Sequence, residues 1–235
     1  MNNWFNTEEL KCVLLCGGKG TRFLPASLVK QKSMIEIKNK PIIKHVIDYW
    51  SKYTDDFIFV VKYRKEDIIN YVSTLPIKAS FVEPSELRGI ADGIYQVEDM
   101  VGEKFIVVLA DCVCRGNLEF PDDMQQGIGV WRTKAVEDIK RNFSVVINNS
   151  QIQHIEEKPK TVTDDLCGMG FYFFDRRLFK YIEKAKPSQL RNEIEITDVI
   201  QDMITKREKF KPVFLDGEYI NITYIEDIER AKSIL

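Results

Sequence analysis

The chain is best read outward from Cys12-Val13-Leu14-Leu15-Cys16-Gly17-Gly18-Lys19-Gly20-Thr21-Arg22-Phe23-Leu24-Pro25. The apolar run from Cys12 to Cys16 is too short for an ordinary helix and fits a buried strand. Glycines at 17, 18 and 20 then form a turn in which bare backbone N–H groups can come close to phosphates. The turn is not a P-loop, because no Gly-Lys-Ser/Thr occurs. Nor is it a dinucleotide fingerprint, because Phe23 stands where Gly18-x-Gly20-x-x-Gly needs its last glycine. Arg22 and Lys32 add two cations suited to holding an anion.

Further β-branched or aromatic runs at Phe57–Val61 and Phe105–Leu109, with a shorter one at Ala79–Val82, read as strands. Between them lie segments of helical spacing, such as Ile42, Ile43, Val46, Ile47 and Trp50, and Ile90–Met100 leading into the Phe105 strand. This alternation predicts βαβ units on a parallel sheet. After about Gly127 the strand-like runs Gly127–Trp131, Phe143–Ile147, Ile152–Ile155 and Met169–Phe174 predict a mixed or antiparallel half, with Asn148-Asn149-Ser150 as a hairpin turn. Helices near Arg176–Lys184 and Ile196–Lys206, a strand near Phe210–Leu215 and a terminal helix from Ile225 complete the pattern. The expected class is α/β: a Rossmann-like, mixed but mostly parallel central sheet with helices on both faces. No linker or repeat divides it, so residues 1–235 are expected to form a single domain with halves at 1–126 and 127–235.

Composition narrows the function. With 34 basic and 36 acidic residues the net charge is −2, and no basic stripe marks a nucleic-acid partner. Lys180, Lys184 and Lys186, and likewise Lys206, Arg207, Lys209 and Lys211, flank expected helix ends and read as surface. The five cysteines are odd in number, and Cys112 and Cys114 are spaced too closely for a zinc knuckle, so neither a disulfide framework nor zinc is expected. Cys12 and Cys16 share the parity of Leu14 and read as core. The start has no signal-peptide pattern and no stretch of about 18 apolar residues occurs, so the expectation is a cytoplasmic protein without a membrane partner.

Gly-Gly-x-Gly-Thr-Arg-Phe-x-Pro with a lysine ten positions after the arginine closely resembles the signature of the sugar-1-phosphate nucleotidylyltransferases. The resemblance extends through Lys40-Pro41-Ile42, Ala110-Asp111, Ile155-Glu156-Glu157-Lys158-Pro159, Gly170–Asp175 and Arg191-Asn192-Glu193-Ile194-Glu195-Ile196-Thr197-Asp198. It implies the nucleotide-diphospho-sugar transferase type of fold. It also implies an enzyme that joins a nucleoside triphosphate to a phosphorylated small-molecule acceptor with Mg²⁺ as cofactor and releases pyrophosphate. Residues 1–126 would bind the nucleotide and 127–235 the acceptor. Family members often form dimers or tetramers, so a homo-oligomer is allowed. No acyltransferase-like repeat follows Asn221, so a bifunctional enzyme of that kind is not expected.

By this resemblance Leu15, Gly17, Gly18, Gly20 and Thr21 would surround the nucleotide, with Glu83, Gly89 and Ala91 near its base. Arg22 would hold the leaving pyrophosphate, and Lys32 would offset charge at the α-phosphorus. Asp111 would coordinate Mg²⁺. The family's second metal ligand is usually an Asp, whereas this chain has Asn221 in Tyr219-Ile220-Asn221, as the N-acetylglucosamine-1-phosphate uridylyltransferase branch does; an amide still offers one neutral oxygen. Lys158 would take the acceptor's phosphate, and Ser144, Glu157, Gly170 and Glu193 would line its remainder. No general base is required, since a phosphate monoester with a second pKa of about 6 is already largely dianionic at neutral pH. His45 and His154 accordingly read as structural or exposed.

Where uridylyl- and thymidylyltransferases of the family carry Gln-Pro, this chain has Glu83-Pro84. A carboxylate cannot donate to O4 of uracil or thymine but can accept from cytosine or guanine. The run Ser27–Ile42 also resembles the glucose-1-phosphate cytidylyltransferase version, with Met34 and Ile35 expected on a strand in the core. CTP is therefore favoured, with UTP, dTTP and GTP as alternatives. Phe143-Ser144 replaces the usual Tyr-Gly beside the sugar, so the acceptor is a hexose 1-phosphate or another phosphorylated metabolite. The departures at Glu83, Ser144 and Asn221 also allow a catalytically silent nucleotide-binding subunit.

Overall fold

The Cys12–Cys16 run becomes the strand β1 (Lys11–Leu15), in which Cys12, Val13 and Leu14 are completely buried. A computed structural model of the chain describes residues 3–5, 9–23, 27, 30–188 and 193–235. Further strands are β2 (Glu36–Ile37), β3 (Lys40–Pro41), β4 (Asp56–Val60), β5 (Lys78–Val82), β6 (Lys104–Leu109) and β7 (Cys112–Glu119). They are followed by β8 (Gln126–Arg132), β9 (Phe143–Asn148), β10 (Gln151–Glu157), β11 (Leu166–Asp175) and β12 (Phe210–Asn221).

Ten of these strands form one sheet in the order β5-β4-β1-β6-β11-β8-β12-β7, with β9 on β11 and β10 on β9. β5, β4, β1 and β6 are parallel, as the alternation of runs predicts. β11 is antiparallel to both β6 and β8, while β12 is parallel to β8 and antiparallel to β7. Most strands therefore point one way, with β7, β10 and β11 opposed. The β6–β11 pairing joins the two halves of the chain into one continuous surface.

Alternation along each strand sends side chains to opposite faces. Cys12, Leu14, Phe57, Phe59, Ile106 and Val108 pack under the Ile42–Trp50 helix and the Lys65–Val72 helix. Val13, Ile58, Val60, Phe105 and Val107 pack under helices Ile90–Tyr95, Arg177–Ile182 and Ile196–Thr205. Helices thus cover both faces. Trp50 anchors the first side, fully buried with its ring edge-on to Phe171 at 5.1 Å. Truncation of such an aromatic costs about 3–5 kcal/mol.

Several expectations shift in detail. The expected Ile90–Met100 helix stops at Tyr95 and tightens into a 3-10 turn at Glu98–Met100. The last strand runs on to Asn221, because Asp216 to Asn221 keep pairing with β7. Met34 is buried, but in a 3-10 turn over Lys32–Met34 and not on a strand, and Ile35 is only half-buried. The Asn149-Ser150 turn has both φ values positive (49° and 57°), as a two-residue hairpin with the right twist requires. Lys180, Lys184, Lys186, Lys206, Arg207 and Lys209 are exposed, whereas Lys211 is buried and pairs with Asp123 at 2.8 Å. All five cysteines are buried and unpaired. Among the described residues no helix is long and apolar enough to cross a membrane.

Candidate active site

The carboxyl ends of β1 and β6 open into a cleft of 1190 Å³. Its position follows the rule for open α/β sheets, in which ligands sit beyond the carboxyl edge of the strands. Leu15, Gly17, Gly18, Gly20, Thr21 and Arg22 form one wall, with Lys19 and Arg22 exposed at the rim. Gly20 turns the chain with φ +59°, where a side chain is strained and its Cβ would lie 3.1 Å from that of Lys32. Eight cationic residues line the cleft against five carboxylates. Such an excess favours a polyanionic ligand.

Lys32 reaches across the floor to Asp111, its Nζ 2.6 Å from Oδ2. The two side chains are 14% and 27% exposed, so the pair is only partly solvated. Gln31 sets the backbone there, donating from Nε2 to the Cys16 carbonyl at 2.8 Å and from its own N–H to Asp67 at 2.8 Å. Arg64 grips the same Asp67 and, with the Gln31 N–H, holds its carboxyl below the usual carboxylate range. Asp111 stands just past β6, and its carbonyl accepts from the Ile222 N–H at 3.0 Å. Asn221, the register partner of Cys112, is thereby a backbone neighbour of Asp111. Burial, with the Asp111 charge as a second cause, pushes the Cys16 and Cys112 thiols up and keeps them neutral beside the carboxylate.

The fit of this site to Mg²⁺ can be judged from its donors. Among the described residues no three acidic, His or Cys side chains cluster into a metal cage. What the cleft offers is the Asp111 carboxylate and the Asn221 amide, both hard oxygen donors that line it. Mg²⁺ is usually held by one or two protein oxygens together with substrate phosphates and water, so the donor set fits that ion bound with its nucleotide.

The opposite wall comes from the second half of the chain. Lys158, Glu157, Gly170, Glu193, Glu195 and Thr197 all line the cleft. Lys158, at φ +48°, pairs with Glu157 at 3.2 Å, and Thr197 donates to the other Glu157 oxygen at 3.3 Å. The Phe143 and Tyr172 rings stack with centroids 6.3 Å apart, giving this end an apolar patch. Arg141, also in the lining, is braced by Asp227 at 3.0 Å. Behind them Asn142 accepts from Asn221 and Tyr219, and the Tyr219 hydroxyl also takes the Gly170 N–H at 3.1 Å. Burial pushes the Tyr219 phenol up, so it stays protonated as a donor.

Most of the expected site residues meet in this one cleft. Three do not line it. The Glu83 carboxylate is exposed and turned to Lys65, with Lys62 3.8 Å away, and these two ammonium groups hold its pKa down. Ser144 follows Phe143 on β9, and strand alternation turns it away when Phe143 faces in. Ala91 is buried in the core beneath the sheet and contributes its N–H to the Ile194 carbonyl at 3.1 Å. That bond, with Ile194 N–H to Arg88 at 2.7 Å, clamps Gly89 at φ +105° against the 193–194 segment. Leu24–Ala26, Leu28–Val29, Arg191 and Asn192, parts of the expected motifs, lie outside the described residues. Asn142, Arg141, Lys62 and Leu87 are lining residues that no motif announced.

The geometry agrees with comparisons to known proteins. The nucleotidyl transferase family model matches residues 11–233. The bifunctional protein GlmU of Methanocaldococcus jannaschii is 34% identical over 230 residues, which cover 96% of this chain and 54% of that protein. The chain thus spans about half the length of the GlmU relatives that it matches. The UTP–glucose-1-phosphate uridylyltransferase AglF of Haloferax volcanii is 29% identical, with 96% of each chain covered. Among solved structures, the inositol-1-phosphate CTP transferase from T. maritima shares the fold with a TM-score of 0.81 at 17% identity, covering 95% of this chain and 94% of that one. With a family match from the first strand into the last helix, the chain belongs to the nucleotidyl transferase family.

Proposed function

We propose that the protein is a nucleotidylyltransferase that joins a nucleoside triphosphate to a sugar 1-phosphate and releases pyrophosphate. The observation that carries this reading is the Lys32–Asp111 pair on the floor of a cationic cleft behind the glycine turn. An acceptor phosphate oxygen bonds to the α-phosphorus as the bond from that phosphorus to the β-bridging oxygen breaks. Pyrophosphate leaves with the electron pair, and no proton need be removed from the attacking dianion. Lys32 offsets charge at the α-phosphorus. Arg22 and the N–H groups of the 17–20 turn receive the leaving pyrophosphate. Lys158 holds the acceptor's phosphate, with Glu157 and Glu193 toward its polar groups. Asp111 and Asn221 would hold Mg²⁺ together with the nucleotide, and the ion would supply Lewis-acid neutralisation of phosphate charge.

CTP is the first nucleotide to test, on the likeness of the Ser27–Ile42 run to cytidylyltransferases. The argument against UTP required Glu83 at the base, and its carboxylate is instead engaged by Lys62 and Lys65. UTP is therefore the second reading, favoured by the near full-length likeness to AglF.

The test is pyrophosphate release with Mg²⁺, across CTP, UTP, dTTP, GTP and ATP against a panel of phosphorylated sugars and non-sugar metabolites. Turnover by one pair is expected, with Arg22→Ala and Asp111→Asn each reducing it by about 100-fold or more. Nucleotide binding without turnover over the whole panel would favour a silent subunit instead.

A further inference from the structure

Asn221 poses an orientation problem that an aspartate does not. Its amide has one oxygen and one NH₂ of nearly the same shape, and only the oxygen can face a cation. Something must decide which end points into the cleft.

The hydrogen bonds around Asn142 make that decision. Asn142 is buried at the end of the Val136–Arg141 helix, and its Nδ2 donates to the Asp138 carbonyl at 2.8 Å. A carbonyl only accepts, so the amide of Asn142 has one allowed orientation, with Oδ1 on the far side. That Oδ1 accepts from Asn221 Nδ2 at 2.9 Å and from the Tyr219 hydroxyl at 3.4 Å. Asn221's NH₂ is thereby spent on Asn142, and its Oδ1 is turned away, 3.4 Å from the Thr223 hydroxyl that donates to it. The base of the relay is rigid. Arg230 grips the Asp138 carboxylate with two nitrogens at 2.9 and 2.8 Å, and the Asn142 carbonyl is tied to the Lys158 N–H at 2.8 Å.

We propose that Asn142 is a positioning residue that fixes the Asn221 amide with its oxygen toward the cleft, so that a neutral side chain serves as an obligate oxygen ligand beside Asp111. This rests on the nucleotidylyltransferase reading given above. It assigns Asn142 a task that no family motif carries.

The test uses Mn²⁺ as the probe, titrated into the full chain with CTP and followed by the EPR signal of the free ion against a protein-free mixture. Asn142→Leu removes the acceptor and lets the Asn221 amide turn over. Loss of such an orienting partner lowers metal affinity by about 10- to 100-fold. Adding Asn221→Asp restores binding in the Asn142→Leu background, because either carboxylate oxygen can face the ion. Tyr219→Phe removes the longer of the two bonds to Asn142 Oδ1 but keeps the Asn221–Asn142 bond, so Mn²⁺ affinity stays within about twofold of the parent. Where Asn142→Leu does not fold, Asn142→Ala gives the same comparison. Mn²⁺ affinity within about twofold of the parent in Asn142→Leu overturns the inference, as does a loss that Asn221→Asp fails to restore. A loss in Asp111→Asn alone leaves the nucleotidylyltransferase reading standing and this inference refuted. No binding by the parent protein beyond the protein-free mixture, with CTP and with UTP alike, refutes both.

Discussion

Lys32 and Asp111, 79 positions apart in sequence, meet at 2.6 Å where the glycine turn and the end of β6 converge. Each neutralises the other, and each is expected to turn to the incoming triphosphate and its metal. The pair therefore links folding to catalysis. Lys32→Met should lower pyrophosphate release by about 100-fold or more while leaving the Asp111 carboxylate without its ion pair. In thermal unfolding, Lys32→Met combined with Asp111→Asn should be less destabilised than the sum of the two single changes, the signature of a direct pair. Strict additivity would show that the contact contributes nothing.

Gly89 holds φ +105°, and a Cβ there would sit 2.6 Å from the Ile194 carbonyl and 2.8 Å from its nitrogen. Both atoms are backbone and cannot swing aside. Gly89→Ala should destabilise the fold by about 1–3 kcal/mol from strain, with the clash in addition. It should also loosen the clamp between residues 88–91 and 194. The check is a melting curve paired with nucleotide affinity, and an unchanged melting temperature would contradict the description of this junction.

Burial holds the His45 imidazole below its ordinary 6.5, while its Nε2 lies 2.9 Å from the Ile37 carbonyl. The folded state resists a proton that the unfolded chain accepts. Stability is therefore untouched above the ordinary value and falls as pH drops through 6.5 toward the lower folded value. Between about pH 7.5 and 5.5 the parent should lose more thermal stability than His45→Gln. Equal losses would mean that His45 is not the group responsible.

Burial also pushes the thiols of Cys12, Cys16, Cys112, Cys114 and Cys167 up, that of Cys167 to about 12. The thiolate is the reactive form, so the native protein should resist a disulfide reagent. All five cysteines should then react in denaturant. Rapid labelling of the native protein would contradict the burial of these side chains.

The parallel half of the sheet was legible because Phe57–Val60 and Phe105–Val108 are continuous apolar runs buried on both faces. β7 was not, because Arg115-Gly116-Asn117 in Cys112–Glu119 breaks every hydrophobic period, and the strand is held by its pairing with β12. The Lys65–Val72 helix was hidden likewise, since it buries only Ile68 and Val72 under a charged surface. At the site, the glycine turn, Lys32 and Asp111 could be read from motif spacing. Asn142 could not, as its task depends on a carbonyl four residues before it and an amide 79 residues after it. The ion pairs of Glu83 were hidden for a similar reason. Lys62, in the cleft lining, and Lys65, on a helix that the sequence did not announce, engage its carboxylate, which does not itself line the cleft.

The central claim is that the α-phosphorus is attacked and pyrophosphate leaves, and isotope position tests it most directly. CTP or UTP labelled at the α-phosphate or, separately, at the γ-phosphate is incubated with the protein, Mg²⁺ and a sugar 1-phosphate. The α-label should appear in a nucleotide-linked sugar and the γ-label in pyrophosphate, with both transfers lost in Asp111→Asn. Passage of the γ-label to the sugar, or its release as orthophosphate, would contradict the account.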